Sequence, residues 1–417
     1  MKRYISGESL KTSVFRDLPL KNARFTAQRA RNCKGTSKNN RFLEVPSGLV
    51  FLCIFFTACN QEPLFWDIAH EYPPIKPIIE GAPSRIVSAT YPSLSKLDPV
   101  LYVSNGEIWE CDTNTDAVWR KMSPQPGGKV KTLAAVEGYL FSLDWAGNIR
   151  KWNGTAWSNP LAGITGTPEQ IFGAENYLFA GALTGTPASN EGYCIMAMEA
   201  TGSAITLIKK STGLLSGAVY GGSNYFLGSQ GDGIYITDTP AGSLSTPISG
   251  TSGLSIIGLV KHGDYIVAVT TGRQIIYSGS GSANFTSYVS PGVDFSGAMA
   301  SWEDRNGHRL LLLGLLNKSG SFGYGYRELV WKKGGNFTDD KRLYVPGEAE
   351  ISSVKLGGQY NSAIGNYGVT SLYVLPFDIL AGSDEQPIVY ASTVKNGLWS
   401  YRSRGGTEQW NGEDNSR

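Results

Sequence analysis

The chain has 417 residues, with 51 glycines, 11% aromatic residues and only 17% charged residues. No stretch has the apolar period of an amphipathic helix, which argues against an enzyme of alternating strands and helices. The formal net charge of +2 hides an asymmetry, because residues 1–58 carry eleven Lys or Arg against three Asp or Glu, and the rest carries 26 against 32. The acidic remainder argues against a nucleic-acid partner, which would require a basic surface.

The N-terminal 58 residues are typical of a segment that is not part of a folded domain. Residues 1–47 are polar and basic, without periodicity, which indicates a disordered segment or an over-extended gene start rather than a domain. An apolar run of about ten residues then ends at Thr57 and Ala58. It is too short to cross a bilayer, which needs about 20 residues, but it has the size of a signal-peptide core. We therefore predict a basic N-terminus followed by a signal peptide over residues 1–58.

The sequence Phe56-Thr57-Ala58-Cys59 resembles the lipobox of bacterial lipoproteins, in the relaxed form common in spirochaetes, with Phe56 where Leu is usual. The resemblance implies that a signal peptidase recognises Phe56, Thr57 and Ala58 and cuts before Cys59, whose thiol carries diacylglycerol. It further implies a lipid anchor in the bacterial cell envelope, and it leaves the membrane and the leaflet open. The alternative for Cys59 is an ordinary buried cysteine in an apolar strand.

A proline-rich stretch follows the cysteine. Five prolines fall within residues 59–84, namely Pro63, Pro73, Pro74, Pro77 and Pro83. Proline at this density opposes helix and sheet and keeps a chain extended. We predict that residues 59–84 are a tether for a globular body at residues 85–412, with a tail at residues 413–417.

The body contains a hairpin that recurs, most clearly at residues 139–157 (YLFSLDWAGNIRKWNGTAW). Short apolar runs alternate there with Gly and Asn, which accept the positive φ of tight turns. The seven copies lie at residues 101–119, 139–157, 177–179 with 192–196, 225–235, 265–277, 310–313 with 326–331, and 388–399. Repeats of several short strands, about 40 to 50 residues apart, are typical of propeller blades.

The predicted fold is therefore an all-β propeller with seven four-stranded blades. The long interval between Trp331 and Trp399 keeps eight blades as an alternative. A closed propeller commonly completes its last blade with a strand from the other terminus, and we expect residues 85–91 or 99–103 to do so. Five aromatic residues are expected to be buried equivalents in their blades: Trp109, Trp152, Tyr235, Tyr277 and Trp399.

Residues 278–285 and 403–410 resemble the Asp-box, a turn motif of sialidase-type propellers that runs Ser, any, Asp, any, Gly, any, Thr, Trp. The defining Asp is missing from both segments. The resemblance implies an alternative function, a degenerate sialidase-like glycan-binding protein or a glycoside hydrolase. Such an enzyme would need arginines that converge on a substrate carboxylate. The candidates are Arg120, Arg150, Arg273, Arg305, Arg309 and Arg327.

No metal site is predicted. Asp144 and Asp232 could bind calcium, but each lacks a second acid nearby, so both are interpreted as turn caps. The three histidines are isolated, without the spacing of a zinc site: His70, His262 and His308.

Trp145 is the exception among the tryptophans, because it lies in a turn, where an exposed aromatic side chain favours a contact surface. Cys111 and Cys194 are predicted to be buried free thiols. We thus predict a non-catalytic binding or scaffold protein, monomeric and anchored to membrane lipid, with no catalytic residue, metal or cofactor. Its ligand would be a protein or a glycan on a propeller face.

Overall fold

The chain divides into two units, Met1–Pro73 and Pro74–Arg417. The structure is a computed structural model, and it describes residues 77–89, 99–113, 118–185, 192–240, 242–244, 246–279, 281–289, 294–303, 309–316, 325–332, 336–338, 364, 367–375, 387–404 and 407–413. All of them belong to the second unit. No helix in this described part has the length and apolar character that a membrane crossing requires.

Twenty-six strands in the described residues form seven antiparallel sheets, which are the blades of a seven-bladed propeller. Blade 1 contains β1 (Val87–Ala89), β2 (Val100–Ser104), β3 (Ile108–Asp112) and β4 (Trp119–Lys121). Blade 2 contains β5 (Val130–Val136), β6 (Tyr139–Asp144) and β7 (Ile149–Trp152). Blade 3 contains β8 (Thr167–Ala174), β9 (Tyr177–Leu183), β10 (Tyr193–Glu199) and β11 (Thr206–Ser211). Blade 4 contains β12 (Leu215–Gly221), β13 (Asn224–Ser229) and β14 (Gly233–Thr237).

Blade 5 contains β15 (Ile256–His262), β16 (Tyr265–Thr270), β17 (Gln274–Gly279) and β18 (Thr286–Val289). Blade 6 contains β19 (Phe295–Glu303), β20 (Arg309–Leu315), β21 (Tyr326–Lys332) and β22 (Asn336–Thr338). Blade 7 contains β23 (Val369–Leu375), β24 (Ile388–Thr393), β25 (Leu398–Arg404) and β26 (Thr407–Gly412). Each predicted copy falls on the second and third strands of one blade, so the repeat is confirmed. The long interval contains β23, the first strand of blade 7, and the described residues hold seven sheets rather than eight.

Two blades depart from the predicted four strands. Blades 2 and 4 have three strands in the described residues. In blade 4 the chain after β14 stays against that strand by single hydrogen bonds, such as Ile248 N to Ile234 O at 2.7 Å. The outer edge of the blade is therefore covered without a regular fourth strand.

The second strands are apolar on both faces, because each blade is packed between two others. Along β20, the four leucines at residues 310–313 are all fully buried. A strand that is buried on both faces has a continuous apolar sequence instead of strict alternation. This explains why the second strands gave the clearest repeat signal.

The first strands line the axis of the ring in the order β1, β5, β8, β12, β15, β19, β23. Six of them carry a register shift near their start, at residues 130/132, 168/170, 215/217, 256/258, 295/299 and 369/371. A bulge leaves an extra residue outside the ladder and bends the strand. The same irregularity thus recurs at one level around the axis.

Close approach of the first strands requires glycine where two of them meet. A Cβ on Gly173 of β8 would lie 1.9 Å from the carbonyl oxygen of Ala135 in β5. No side chain fits in that space, so the contact between blades 2 and 3 depends on glycine at this position.

The ring is closed by residues that precede blade 1. Ile78 N donates to Glu413 O at 2.5 Å, and Leu398 N donates to Ile79 O at 3.1 Å. The indole Nε1 of Trp119 in blade 1 donates to the Glu413 carboxylate at 3.0 Å. The prediction for residues 85–91 or 99–103 was wrong, because β1 and β2 belong to blade 1. The short segment around residue 79 links the ends instead.

The five aromatic residues that were predicted to be equivalent differ in burial and register. Trp152, Tyr235 and Tyr277 are buried, whereas Trp109 and Trp399 are half-buried. Each of the five pairs with a residue on the second strand of its blade. The number of residues from that partner to the end of the second strand differs between blades, and it is the same only for Tyr235 and Trp399. The prediction was wrong in this respect, because turn length shifts the third strand from blade to blade.

The prediction for the cysteines is confirmed, since Cys111 on β3 and Cys194 on β10 are buried and form no disulfide. Asp232 joins blade 3 to blade 4 instead of capping its own turn. It accepts hydrogen bonds from Ser211 Oγ at 2.5 Å, from Tyr235 Oη at 2.7 Å and from both the amide and the hydroxyl of Thr212. Burial alone would raise the pKa of Asp232, but these hydrogen bonds outweigh it and lower the pKa.

We expect the Glu413→Ala variant to lose about 1–3 kcal/mol of unfolding free energy, because the buried carboxylate that accepts from Trp119 Nε1 and Ser400 Oγ would be removed. Urea denaturation measures the change. The matched control is Glu107→Ala, which removes an exposed ion pair with Lys121 (2.6 Å) and should cost about 0.5 kcal/mol or less. Equal effects of the two substitutions would show that Glu413 does not hold the ends together.

The lowered pKa of Asp232 predicts how the stability of the fold changes at acid pH. A carboxyl group with a lower pKa in the folded chain stabilises the fold above its unfolded value, 3.8, and loses this contribution as the pH falls. The Asp232→Asn variant should therefore lose less stability than the wild type between pH 7 and pH 3. Ser211→Ala, which removes one donor, should be intermediate. Identical urea midpoint shifts in all three proteins would contradict this.

Candidate functional site

A cavity of about 810 Å³ lies along the axis, between the first strands of the blades. Residues at the recurrent bulges reach it, among them Lys131, Ser216 and Thr370. Side chains that leave the ladder at a bulge are the ones directed away from the blade's own sheet. The repeated irregularity thus equips the cavity wall with side chains that differ from blade to blade.

Arg85, immediately before β1, crosses from blade 1 to its neighbours. Its Nη2 donates to the carbonyl oxygen of Ile171 in blade 3 at 2.5 Å and lies 3.4 Å from that of Leu133 in blade 2. The guanidinium carbon lies 4.2 Å from the ring centroid of Phe172, in the geometry of a cation–π contact. Burial lowers the pKa of Arg85 to about 10, which leaves it charged at neutral pH.

Lys131 is the second cation on the cavity wall. Its ammonium group forms an ion pair with Glu169 of the next blade and lies 5.1 Å from the ring centroid of Trp145. The ion pair joins blades 2 and 3, and the aromatic contact extends the cationic wall to the rim of the cavity.

Trp145 lies in the turn between β6 and β7 and also borders the cavity. The turn is held firmly, because Asp144 Oδ1 accepts hydrogen bonds from the amides of Ala146 at 2.9 Å and Asn148 at 2.8 Å. The Trp145 amide donates to Lys129 O at 3.0 Å. The side chain nevertheless remains 68% exposed, the largest value among the large apolar residues that the structure describes. The prediction that Asp144 caps its turn is confirmed, whereas the role of Trp145 as a contact surface stays a prediction.

The remaining candidate residues do not assemble into a second site. His262 is buried, with Nδ1 2.9 Å from Ser301 Oγ, and burial together with Arg309 lowers its pKa to about 3. No group of three metal-binding side chains occurs among the described residues. Outside those residues lie His70, His308, Arg305 and the predicted processing and lipidation residues Phe56, Thr57, Ala58 and Cys59.

The described arginines that are candidates for a glycosidase site are spread over four blades, with Arg309 and Arg327 both in blade 6. None of the five in the described part of the chain lines the cavity: Arg120, Arg150, Arg273, Arg309 and Arg327. Two of them have nearby carboxylate partners, since Arg273 pairs with Asp294 at 2.7 Å and Arg309 pairs with Glu303 at 2.6 Å. The Asp-box-like residues 278–285 span the turn between β17 and β18.

Sequence reasoning missed Arg85, Lys131 and Phe172. Arg85 entered the sequence predictions only as the first residue of the segment 85–91. The position of Lys131 on the axis depends on the bulge in β5, and the positions of Arg85 and Phe172 depend on the packing of neighbouring blades. For the two cations the sequence carries only a weak signal, a charged residue within or next to an apolar first strand.

Comparisons with known proteins add little to the geometry. No family model matches the sequence, and no curated protein matches it significantly. Among solved structures, the computationally designed Ika8 protein has a TM-score of 0.49 at 13% identity, over 78% of this chain and 97% of that one. A nidogen/laminin complex has a TM-score of 0.35 at 13% identity, over 51% of this chain and 81% of that one. Neither likeness is strong enough to carry an argument about fold or function.

Proposed function

We propose that the protein is a non-catalytic binding protein of the bacterial cell envelope, anchored by an acylated Cys59 and presenting its propeller as the binding body. The observation that supports the binding role is the exposure of Trp145. Its indole ring lies at the rim of the axial cavity, on a turn that hydrogen bonds hold in place. A propeller with loops on both faces needs no catalytic residue for such a role.

Trp145 has the properties of an interface anchor. An exposed tryptophan offers a large apolar area at little conformational cost, and tryptophan is enriched among residues that dominate binding energy. Its neighbour Lys131 adds a positive charge within 5.1 Å of the ring centroid. The same exposed ring could stack on a sugar, so a glycan is the second candidate for the ligand.

The anchor is supported by the sequence around Cys59 and by the length of the chain that follows it. Residues 60–76 separate the cysteine from the first described residue of the body. An extended chain of this length reaches up to roughly 55 Å. This distance would allow the propeller to bind a partner away from the lipid headgroups.

The Cys59→Ser variant should remain an unprocessed precursor that partitions into the aqueous phase. Acyl chains contribute about 0.8 kcal/mol per buried CH₂, so the wild type should require detergent for extraction. Intact mass and detergent partitioning measure both effects in a bacterium that processes lipoproteins. Cys53→Ser, in the same apolar run, is the matched control and should behave as wild type. An unmodified Cys59 in the mature wild-type protein would refute the anchor.

The Trp145→Ala variant should lose at least tenfold in affinity for the ligand and change the unfolding free energy by only about 0.5 kcal/mol. Solubilised envelope proteins and a glycan array provide the candidate ligands. The matched control is Leu207→Ala, which removes another exposed apolar side chain, 43% accessible, from the outer strand of blade 3. It should bind as wild type.

Three outcomes of that experiment separate the candidate functions. If Trp145→Ala loses binding to a protein and Leu207→Ala does not, the result supports the scaffold role. If Trp145→Ala loses binding to a glycan that the wild type does not hydrolyse, the result supports a lectin. Release of sugar would contradict a non-catalytic protein. Unchanged affinity in Trp145→Ala would show that the rim tryptophan is not the contact surface.

A further inference from the structure

The axial cavity carries positive charge that the described residues do not neutralise. Arg85 and Lys131 line it, and no Asp or Glu is found among the described residues of its wall. Lys131 is paired with Glu169. Arg85 has no carboxylate within ion-pair distance among the residues that the structure describes. The net charge of the cavity is therefore set by Arg85.

The Arg85 guanidinium is also held in place before any ligand arrives. Nη2 is fixed by Ile171 O, and the Phe172 ring supports one face of the group. Nε and Nη1 make no hydrogen bond to the described residues. Arg85 is half-buried. A cation that is fixed through one nitrogen keeps its other donors ready for an acceptor, with little further loss of side-chain freedom.

The surroundings suit an anion of small size. The cavity volume of about 810 Å³ falls within the range of small-molecule sites, roughly 300–1,000 Å³. Neutral polar side chains line it beside the arginine, including Gln170, Gln230 and Ser216. A partly buried charge such as that of Arg85 interacts more strongly with a counter-ion than an exposed one does, because the local dielectric constant is lower.

We infer that the axial cavity binds a small organic anion, through a carboxylate or phosphate group held by Nε and Nη1 of Arg85. Lys131 and the neutral amides of the wall would contact the rest of the ligand. The proposal does not rest on the anchor at Cys59, and the anion is held by Arg85 rather than by the indole ring of Trp145, which borders the same cavity.

Calorimetric titration of the full-length protein in detergent tests the site, with citrate and inorganic phosphate as probes. At least one of them should bind saturably to the wild type, and the preferred one identifies the group that Arg85 holds. Arg85→Gln should weaken that binding at least tenfold. Arg85→Lys, which keeps the charge but loses the planar fork, should fall between the two. Affinity should also decrease as KCl is added.

The matched control is Arg273→Gln, which removes an arginine paired with Asp294 away from the cavity and should leave the affinity unchanged. Near-UV circular dichroism verifies folding of each variant. If Arg85→Gln does not fold, Arg85→Lys decides, since affinity equal to that of the wild type would refute the site. Absence of saturable binding of both anions to the wild type, or equal loss in Arg273→Gln, would also overturn the proposal.

Discussion

The convergence of seven first strands on one axis is the constraint on which the rest of the structure depends. Strands that meet around an axis must approach each other more closely than stacked sheets do, and Gly173 shows how little room remains, since a Cβ there would lie 1.9 Å from Ala135 O. The bulges near the start of these strands bend them where they meet at the axis. Packing on the axis thus determines both the shape of the cavity and the side chains that reach it.

Closure of the ring makes the blades one cooperative body. The contact between Trp119 and Glu413 joins residues 294 positions apart, and the hydrogen bonds of Ile78 and Ile79 to the last blade seal the same junction. Each remaining blade interface buries apolar side chains, with polar links such as Asp232 to Ser211 between blades 3 and 4. A sheet that is packed on both faces and tied at its ends leaves few free edges, which suits a rigid presenting surface.

The charge and the aromatic surface of the cavity come from three neighbouring blades, numbers 1 to 3. Arg85 reaches from blade 1 across blade 2 to a carbonyl of blade 3, and Lys131 lies between Glu169 and the ring of Trp145. Arg85 is half-buried and has no carboxylate partner among the described residues of the wall. It therefore ties the blades together and is also a candidate for contact with an anion. Trp145 therefore lies at the rim of the cavity, and Arg85 lies on its wall.

The sequence by itself determined the blades, because turns and strand periodicity are local properties. The pattern of YLFSLDWAGN already contains the second strand, the Asp144 cap and the exposed Trp145, and the buried thiols of Cys111 and Cys194 follow from their apolar strands. Only the tertiary structure decided the closure at Ile79, the register of Trp109 and Trp399, and the place of Arg85. Arg85 meets its partner carbonyl 86 positions away. Such contacts depend on how distant blades pack and on the lengths of the turns that set the register, and neither property leaves a clear mark on the local pattern of the sequence.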